Sequence, residues 1–395
     1  VGALWYLGWR LYRPASGLLA AALFAVAPSF LRRAPEFLND LAAAALLLAV
    51  MLLLWRFLEQ RDGAGWSVLW AAPLAAAAFY LRYGSAISLL VIAAVAAAVW
   101  WRSVLAGWVR LLATAALFAA LLVPHAMAAL DETGSITGIL SAARRTAGSD
   151  SFGEGLTTYL RWFPANLAGR ISGAAMLVGT GLLLVALARS LWRRTLASHD
   201  RATIFVGAVA WLSMVATGLT AHAEPRYVFL GVMLLLLLGS EAALLAARWL
   251  PRPLLLAALV AATAVVVWQG VTGYRDARDD FADLAETRQV IVDAAAALDD
   301  ASPGTCSVVT TYEPQIGWYS GCVAVGFGFP TDPARFPPAD DRYLLLFAHG
   351  KRQPEGRQLE AYLEAGGGVP TIVVPAMTDR IGDAAIYRVA PEASP

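Results

Sequence analysis

The sequence predicts an α-helical polytopic membrane protein with a small C-terminal α/β domain, and three observations predict it. The 395 residues are 59% hydrophobic and only 15% charged, with a mean hydropathy of +0.60; a soluble surface of this size needs far more charge. Nine stretches approach the roughly 20 apolar residues that a bilayer core demands. After Gly273 the composition shifts to short apolar runs punctuated by Pro and Gly.

The candidate spans run near 14–31, 38–56, 66–82, 84–101, 108–130, 167–189, 202–221, 226–248 and 253–271, and Val1 to Trp9 reads as the tail of one more. Ala and Leu dominate them, as helices packed in lipid allow. The loops Arg10–Arg13, Arg56–Arg61, Arg102–Arg110, Arg189–Arg201 and Arg248–Arg252 are basic. They are alternate loops, so nine spans place all five on one side, which the positive-inside rule makes the cytoplasm. Segments 32–38, 81–84, 131–166 and 221–226 then face outward, and so does the C-terminal domain. Trp9, Trp55, Trp66, Trp100, Trp101, Trp108, Trp192 and Trp249 fit an interfacial belt. The expected location is the plasma membrane, with lipid as a constant partner.

The reading divides the chain into a membrane domain, 1–273, and an extracytoplasmic domain, 274–395. Tyr274 to Asp300 is acidic, with Phe281, Leu284, Val290 and Ile291 at helical spacing. Cys306–Thr311, Cys322–Gly326, Tyr343–Ala348, Thr371–Val374 and Ala385–Val389 read as strands of a largely parallel or mixed sheet, with a helix over Glu355–Glu364. The two cysteines, Cys306 and Cys322, either pair in an oxidising compartment or stay as buried thiols. A disulfide closing that loop stabilises by about 3 kcal/mol. No P-loop, GxGxxG or metal-ligand spacing occurs, and His349 reads as a surface histidine. A net charge of +1 argues against a nucleic-acid partner.

The outward segments hold more charge than topology requires. Arg32, Arg33, Glu36 and Asp40 lie at the first and Arg82 with Tyr83 at the second. Asp131, Glu132, Arg144, Arg145, Asp150 and Glu154 lie in the long third segment, and His222, Glu224, Arg226 and Tyr227 in the fourth. Arginines on that side run against the positive-inside bias, so a ligand or carboxylates must hold them there. Arginine suits phosphate because its planar fork makes paired hydrogen bonds. A carboxylate nearby can act as a base toward an acceptor hydroxyl. Each residue also has a plainer reading. Asp40 could only cap its helix, Arg82 could snorkel, and Arg144 and Arg145 could be a solvated pair. Arg226 follows Pro225 at a helix start, where the dipole disfavours a cation unless an anion is near. Phe152, Leu156, Tyr159, Leu160, Trp162 and Phe163 read as an amphipathic helix lying on the membrane.

This layout resembles the GT-C superfamily of membrane glycosyltransferases, in the protein O-mannosyltransferase-like and aminoarabinose-transferase-like branch (glycosyltransferase family 39 and relatives). The stretch LGWRLYRPASGLLAAALFAVAPSFLRRAPEFLNDLAAAALLLAVMLLLWRFL is similar to the family's basic loop, proline-ended helix, outer turn and acid-opened helix. FYLRYGSAISLL is similar to its outer turn with a cation, HAEPRYVFLGVMLLLLL to its Arg-Tyr helix start, and TTYEPQIGWYSGC to the segment after the first strand of its soluble part. The resemblance implies an inverting hexosyl- or pentosyltransferase of the cell envelope. Such an enzyme moves a sugar from a polyprenyl-phosphate donor to a glycan, lipid or protein hydroxyl on the outer face. It matches Asp40, the catalytic candidate of this stretch, to the family's second acidic position, and Arg82 and the Arg226–Tyr227 pair to positions near the carrier phosphate. Tyr83, His222, Glu224, Arg144 and Arg145 complete the expected substrate-binding set. The family's first outer loop, with its usual base, would precede Val1, so the expectation is that this stretch alone is inactive. A divalent metal is left open, since the outer carboxylates form no recognisable site. The competing expectations are a transporter or flippase of lipid-linked sugars and a non-catalytic cell-envelope assembly protein.

Overall fold

The computed structural model describes residues 1–34, 39–59, 65–138, 153–220, 223–302, 304–327, 339–350, 353–365 and 367–389. The chain forms two compact units, Val1–Ala277 and Arg278–Pro395; the sequence reading drew this boundary after Gly273.

All nine expected spans are helical, but not all are single helices. Among the described residues six are long and apolar enough to cross a membrane: Asn39–Glu59, Trp108–Asp131, Arg170–Arg193, Ser198–Thr220, Pro225–Ala247 and Arg252–Ala301. Pro14–Ala25, Gly65–Leu81 and Ser85–Val99 are shorter apolar helices. The chain is therefore built as a multi-pass membrane protein.

Helix α1 (Gly2–Leu11) is followed by α2 (Pro14–Ala25) and α3 (Pro28–Arg33). The expected single span 14–31 is broken because Pro28 has no N–H to continue the α2 ladder. In lipid each freed carbonyl must find a protein donor. The Ser172 hydroxyl donates to Leu23 O at 3.0 Å, and the Gln269 amide donates to Val26 O at 3.2 Å. Gln269 also donates to Ser172 Oγ at 2.9 Å and accepts from Ile171 N at 3.2 Å. Gln269 in the last span thus closes the break between α2 and α3.

Next come α4 (Asn39–Glu59), a 3₁₀ helix (Gly65–Trp70) leading into α5 (Ala71–Leu81), α6 (Ser85–Val99) and α7 (Trp101–Ala106). The expected span 108–130 divides into α8 (Trp108–Leu121) and α9 (Val123–Thr133), because Pro124 again starts a new helix. Then follow α10 (Glu154–Trp162), α11 (Ala165–Ala168), α12 (Arg170–Arg193) and α13 (Ser198–Thr220). A 3₁₀ turn (Pro225–Val228) opens α14 (Phe229–Ala247).

Every residue of α14 from Phe229 to Glu241 is buried, as a helix apolar on all sides requires. Helix α8 buries none and faces outward. Helices α12 and α14 touch through glycine: a Cβ on Gly239 would sit 2.0 Å from Ala175 O, and one on Gly179 would sit 2.3 Å from Leu235 O. Small residues allow this approach, which dispersion then stabilises.

The last span and the expected acidic helix 274–300 are one 50-residue helix, α15 (Arg252–Ala301). Gly270 and Gly273 do not end it, since a glycine costs a helix only about 1 kcal/mol and the next proline is Pro303.

In the second unit, strands β1 (Cys306–Thr310), β2 (Val323–Gly326), β3 (Asp341–Phe347), β4 (Ile372–Val374) and β5 (Ala384–Val389) form one sheet of order β2-β1-β3-β5-β4. Strand β1 pairs parallel with β2 and β3, while β5 pairs antiparallel with β3 and β4. The sheet is mixed, as one of the two expected forms. Helix α17 (Arg357–Ala365) matches the expected helix. Helix α16 (Glu313–Ser320) was not foreseen, although Pro314 in its first turn and Gly321 in the left-handed region after it are helix start and stop signals. Cys306 and Cys322 form a disulfide with a Cα–Cα distance of 4.8 Å, so the free-thiol alternative falls.

Candidate functional site

Three helix ends converge on Asp40. It lies in the first turn of α4, where the helix dipole favours an anion. Arg82 caps the C-terminal end of α5, and Arg226 lies in the 3₁₀ turn that starts α14. Arg82 Nε lies 3.0 Å from Asp40 Oδ1, and Arg226 Nε lies 3.8 Å from Asp40 Oδ2. Arg82 also donates to Tyr227 O at 3.4 Å and stacks on the Tyr227 ring, 4.2 Å from its centre. Arg226 flanks the same ring at 5.3 Å. One carboxylate and one aromatic ring therefore hold two guanidinium groups side by side. The Arg226 Nε is buried and has no hydrogen-bond partner among the described residues.

A second ring of contacts fixes this end. Arg33 pairs with Glu224 at 3.4 Å. The Glu224 backbone is clamped by Tyr159, whose hydroxyl donates to Glu224 O at 3.0 Å and accepts from Glu224 N at 3.1 Å. Burial pushes the Tyr159 phenol above its ordinary value, so it stays protonated and keeps both bonds. Ser85 and Ser88 of α6 line the small pocket beside Asp40.

Of the residues expected from sequence, Asp40, Arg82, Glu224, Arg226 and Tyr227 are brought together. Tyr83 points elsewhere: it packs on Phe79 at 5.3 Å and on His125 at 5.0 Å. His222, Arg144 and Arg145 lie outside the described residues, as do Glu36, Asp150 and Phe152. The expected amphipathic helix exists as α10, but Tyr159 points inward and is fully buried, while Leu160 is exposed. Asp131 and Glu154 are exposed at helix ends.

Sequence reasoning missed His125. It packs against Phe79, Tyr80 and Tyr83, and its Nε2 is buried with no hydrogen-bond partner among the described residues. The available signal was an imidazole inside an apolar stretch, an uncommon residue at such a position.

It also missed a network at the other end of the bundle. Glu241 is 1% exposed and takes Arg13 Nε at 3.0 Å, Arg13 Nη2 at 2.5 Å and the Ser16 hydroxyl at 2.5 Å, with His199 Nε2 at 3.4 Å. Glu59 takes Arg201 Nε at 3.0 Å, Arg201 Nη2 at 2.6 Å and Trp100 Nε1 at 2.6 Å. Arg189 pairs with Asp200 at 3.2 Å. Asp40 and Glu59 sit at opposite ends of α4, so the two networks are roughly 30 Å apart. The basic loops around Arg13, Arg189 and Arg201 all fall at the Glu59 end. Comparison with known proteins finds no family model that matches the chain and no curated protein that matches it, so the geometry of these two ends carries the functional reading.

Proposed function

We propose that the chain is an integral-membrane glycosyltransferase that takes a sugar from a polyprenyl-phosphate donor and passes it to a hydroxyl acceptor on the outer face. The observation that carries the reading is the pair of guanidinium groups sharing Asp40, with the Arg226 Nε ion-paired at 3.8 Å but without a hydrogen bond among the described residues, at the end of the bundle away from the basic loops. A phosphate arriving from lipid would meet two forks already oriented, a form of electrostatic preorganisation.

In this reading the acceptor oxygen attacks the anomeric carbon while the bond from that carbon to the phosphate oxygen breaks. Configuration inverts, and polyprenyl phosphate leaves with the electron pair, its charge held by Arg82 and Arg226. Asp40 first positions the arginines. Once phosphate takes the forks, its carboxylate is free to accept the acceptor's proton. Any one of a glycan, a lipid or a protein can supply that hydroxyl. The basic end would face the cytoplasm of the plasma membrane.

The test is binding of polyprenyl phosphate to the chain in nanodiscs, which needs no turnover. Charge-assisted hydrogen bonds contribute about 1.5–3 kcal/mol, so Arg82→Ala and Arg226→Ala should each weaken binding about 10- to 100-fold. Asp40→Asn should keep binding within a few-fold. Unchanged affinity in both arginine variants sinks the proposal.

A second reading, an ion-coupled transporter of lipid-linked sugar, draws on Glu241, a carboxylate buried inside α14, and on the broken α2–α3 pair. Flux into proteoliposomes without any glycosyl product favours it over the enzyme.

A further inference from the structure

A cleft of about 480 Å³ opens at the Glu59 end of the bundle, between the ends of α4, α6 and α12 and the start of α13. Its carboxylate, Glu59, is already committed to Arg201 and to the Trp100 indole. Arg201 is held further by a bond from Nη1 to Leu196 O at 2.9 Å. This wall is therefore closed and fixed. The two other cations that line the cleft, Arg102 and Arg194, have no carboxylate partner among the described residues. Arg102 instead lies over the Trp101 ring at 5.1 Å. Arg194 adopts the left-handed backbone region, φ 52°, the only non-glycine residue described there. It is the C-cap of α12, and a left-handed residue is a common helix ending. The hydroxyl residues Ser103 and Thr195 line the cleft between them.

We propose that this cleft binds the phosphate of an anionic phospholipid. Two guanidinium forks without a carboxylate among the described residues and two hydroxyl residues are the donor set of a phosphodiester. Basic pockets between spans at the positively charged membrane edge hold such headgroups. The neighbouring surface supplies the place for acyl chains: Leu191 and Trp192, in the last turn of α12, are 78% and 91% exposed, and Trp101 is 55% exposed at the rim. A soluble phosphate ligand would have no use for this apolar shoulder. The site is independent of the Asp40 end and of the proposed transfer reaction.

The experiment uses the full chain in vesicles of mixed phosphatidylglycerol and phosphatidylethanolamine, followed by gentle extraction and analysis of retained lipid. Phosphatidylglycerol should be retained selectively. With about 1 kcal/mol per arginine near an anionic surface, Arg102→Ala with Arg194→Ala should cut that retention about 30-fold. Arg110→Ala with Arg252→Ala removes the same charge from outside the cleft and should leave retention unchanged. An equal loss in this control overturns the site in favour of general surface attraction. Inorganic phosphate displacing the lipid as effectively as phosphatidylglycerol itself overturns the lipid assignment. A photoreactive phosphatidylglycerol on the unmutated chain should label the peptides around 100–103 and 194–196. Absence of label there overturns the proposal whether or not the variants fold.

Discussion

The two ends of the bundle use the same residue types and build different things from them. At the basic end Glu241 faces a bidentate arginine, a serine hydroxyl and a histidine, and Glu59 faces a bidentate arginine and an indole. Both carboxylates have their oxygens filled at distances of 2.5–3.4 Å. At the other end one carboxylate is divided between two arginines at 3.0 and 3.8 Å, and the Arg226 Nε at the longer distance is buried with no hydrogen bond among the described residues. A closed network locks helices together. An open one leaves part of the arginines' hydrogen-bonding capacity unused. The Arg189 Nε at the basic end is also buried without a hydrogen-bond partner among the described residues, so the contrast rests on the carboxylates: Glu241 and Glu59 are filled by hydrogen bonds, whereas Asp40 is shared between two arginines.

The largest expected effect tests the closed end. Arg13→Ala leaves Glu241 buried with only His199 and Ser16 beside it, and breaking one side of a buried pair costs about 3–5 kcal/mol. Denaturant unfolding of the chain in detergent measures it. Arg226→Ala in the same assay should cost about 1 kcal/mol or less, while its effect on polyprenyl-phosphate binding is large. If Arg226→Ala destabilises as much as Arg13→Ala, the open end is structural too and the contrast collapses.

The next effect concerns the frame that keeps the two ends apart. Gly239→Val drives a side chain into Ala175 O, 2.0 Å from its Cβ position. Overpacking of this kind costs about 1–3 kcal/mol, read as a lower unfolding midpoint. Donor binding should weaken with it if α12 and α14 jointly hold the Arg226 turn. A stability loss with full binding would show that the Asp40 end is held locally, by Tyr159 and Tyr227.

Much of this was legible in the sequence. The spans followed from apolar length, the five strands from short runs between turns, and the Asp40–Arg82–Arg226 group from charges on the side where arginine is rare. What was not legible has physical reasons. Pro28 and Pro124 were read through because their neighbours are uniformly apolar, and composition does not register a missing N–H. The continuity of α15 was missed because a change from lipid to water alters composition without altering helix propensity. Glu241 was overlooked because a single carboxylate near the end of an apolar run looks like an interfacial charge; only Arg13, more than two hundred residues away, makes it a lock. Tyr83 packs on Phe79 and His125 and not beside Asp40, because its adjacency to Arg82 in sequence puts it on another face.

The smallest effect supplies the reference in water. In the second unit Asp341 accepts from the Ser302 hydroxyl at 2.9 Å and pairs with Arg388. The Ser302 hydrogen bond first, then Arg388, hold its carboxyl below the usual carboxylate range. A carboxyl depressed in the folded state stabilises fully above its unfolded value, about 3.9, and that contribution is lost as pH falls through the lower folded value. Asp341→Asn should therefore reduce resistance of the 278–395 region to proteolysis at about pH 7, and the difference from the unmutated chain should close below about pH 4. Arg388 is 64% exposed where Arg13 is 24% exposed, so water screens this pair as it cannot screen the other. A substitution here that matched Arg13→Ala in size would mean that pairing chemistry, not burial, sets the strength of these networks. The distinction between the two ends of the bundle would then have to rest on ligand binding alone.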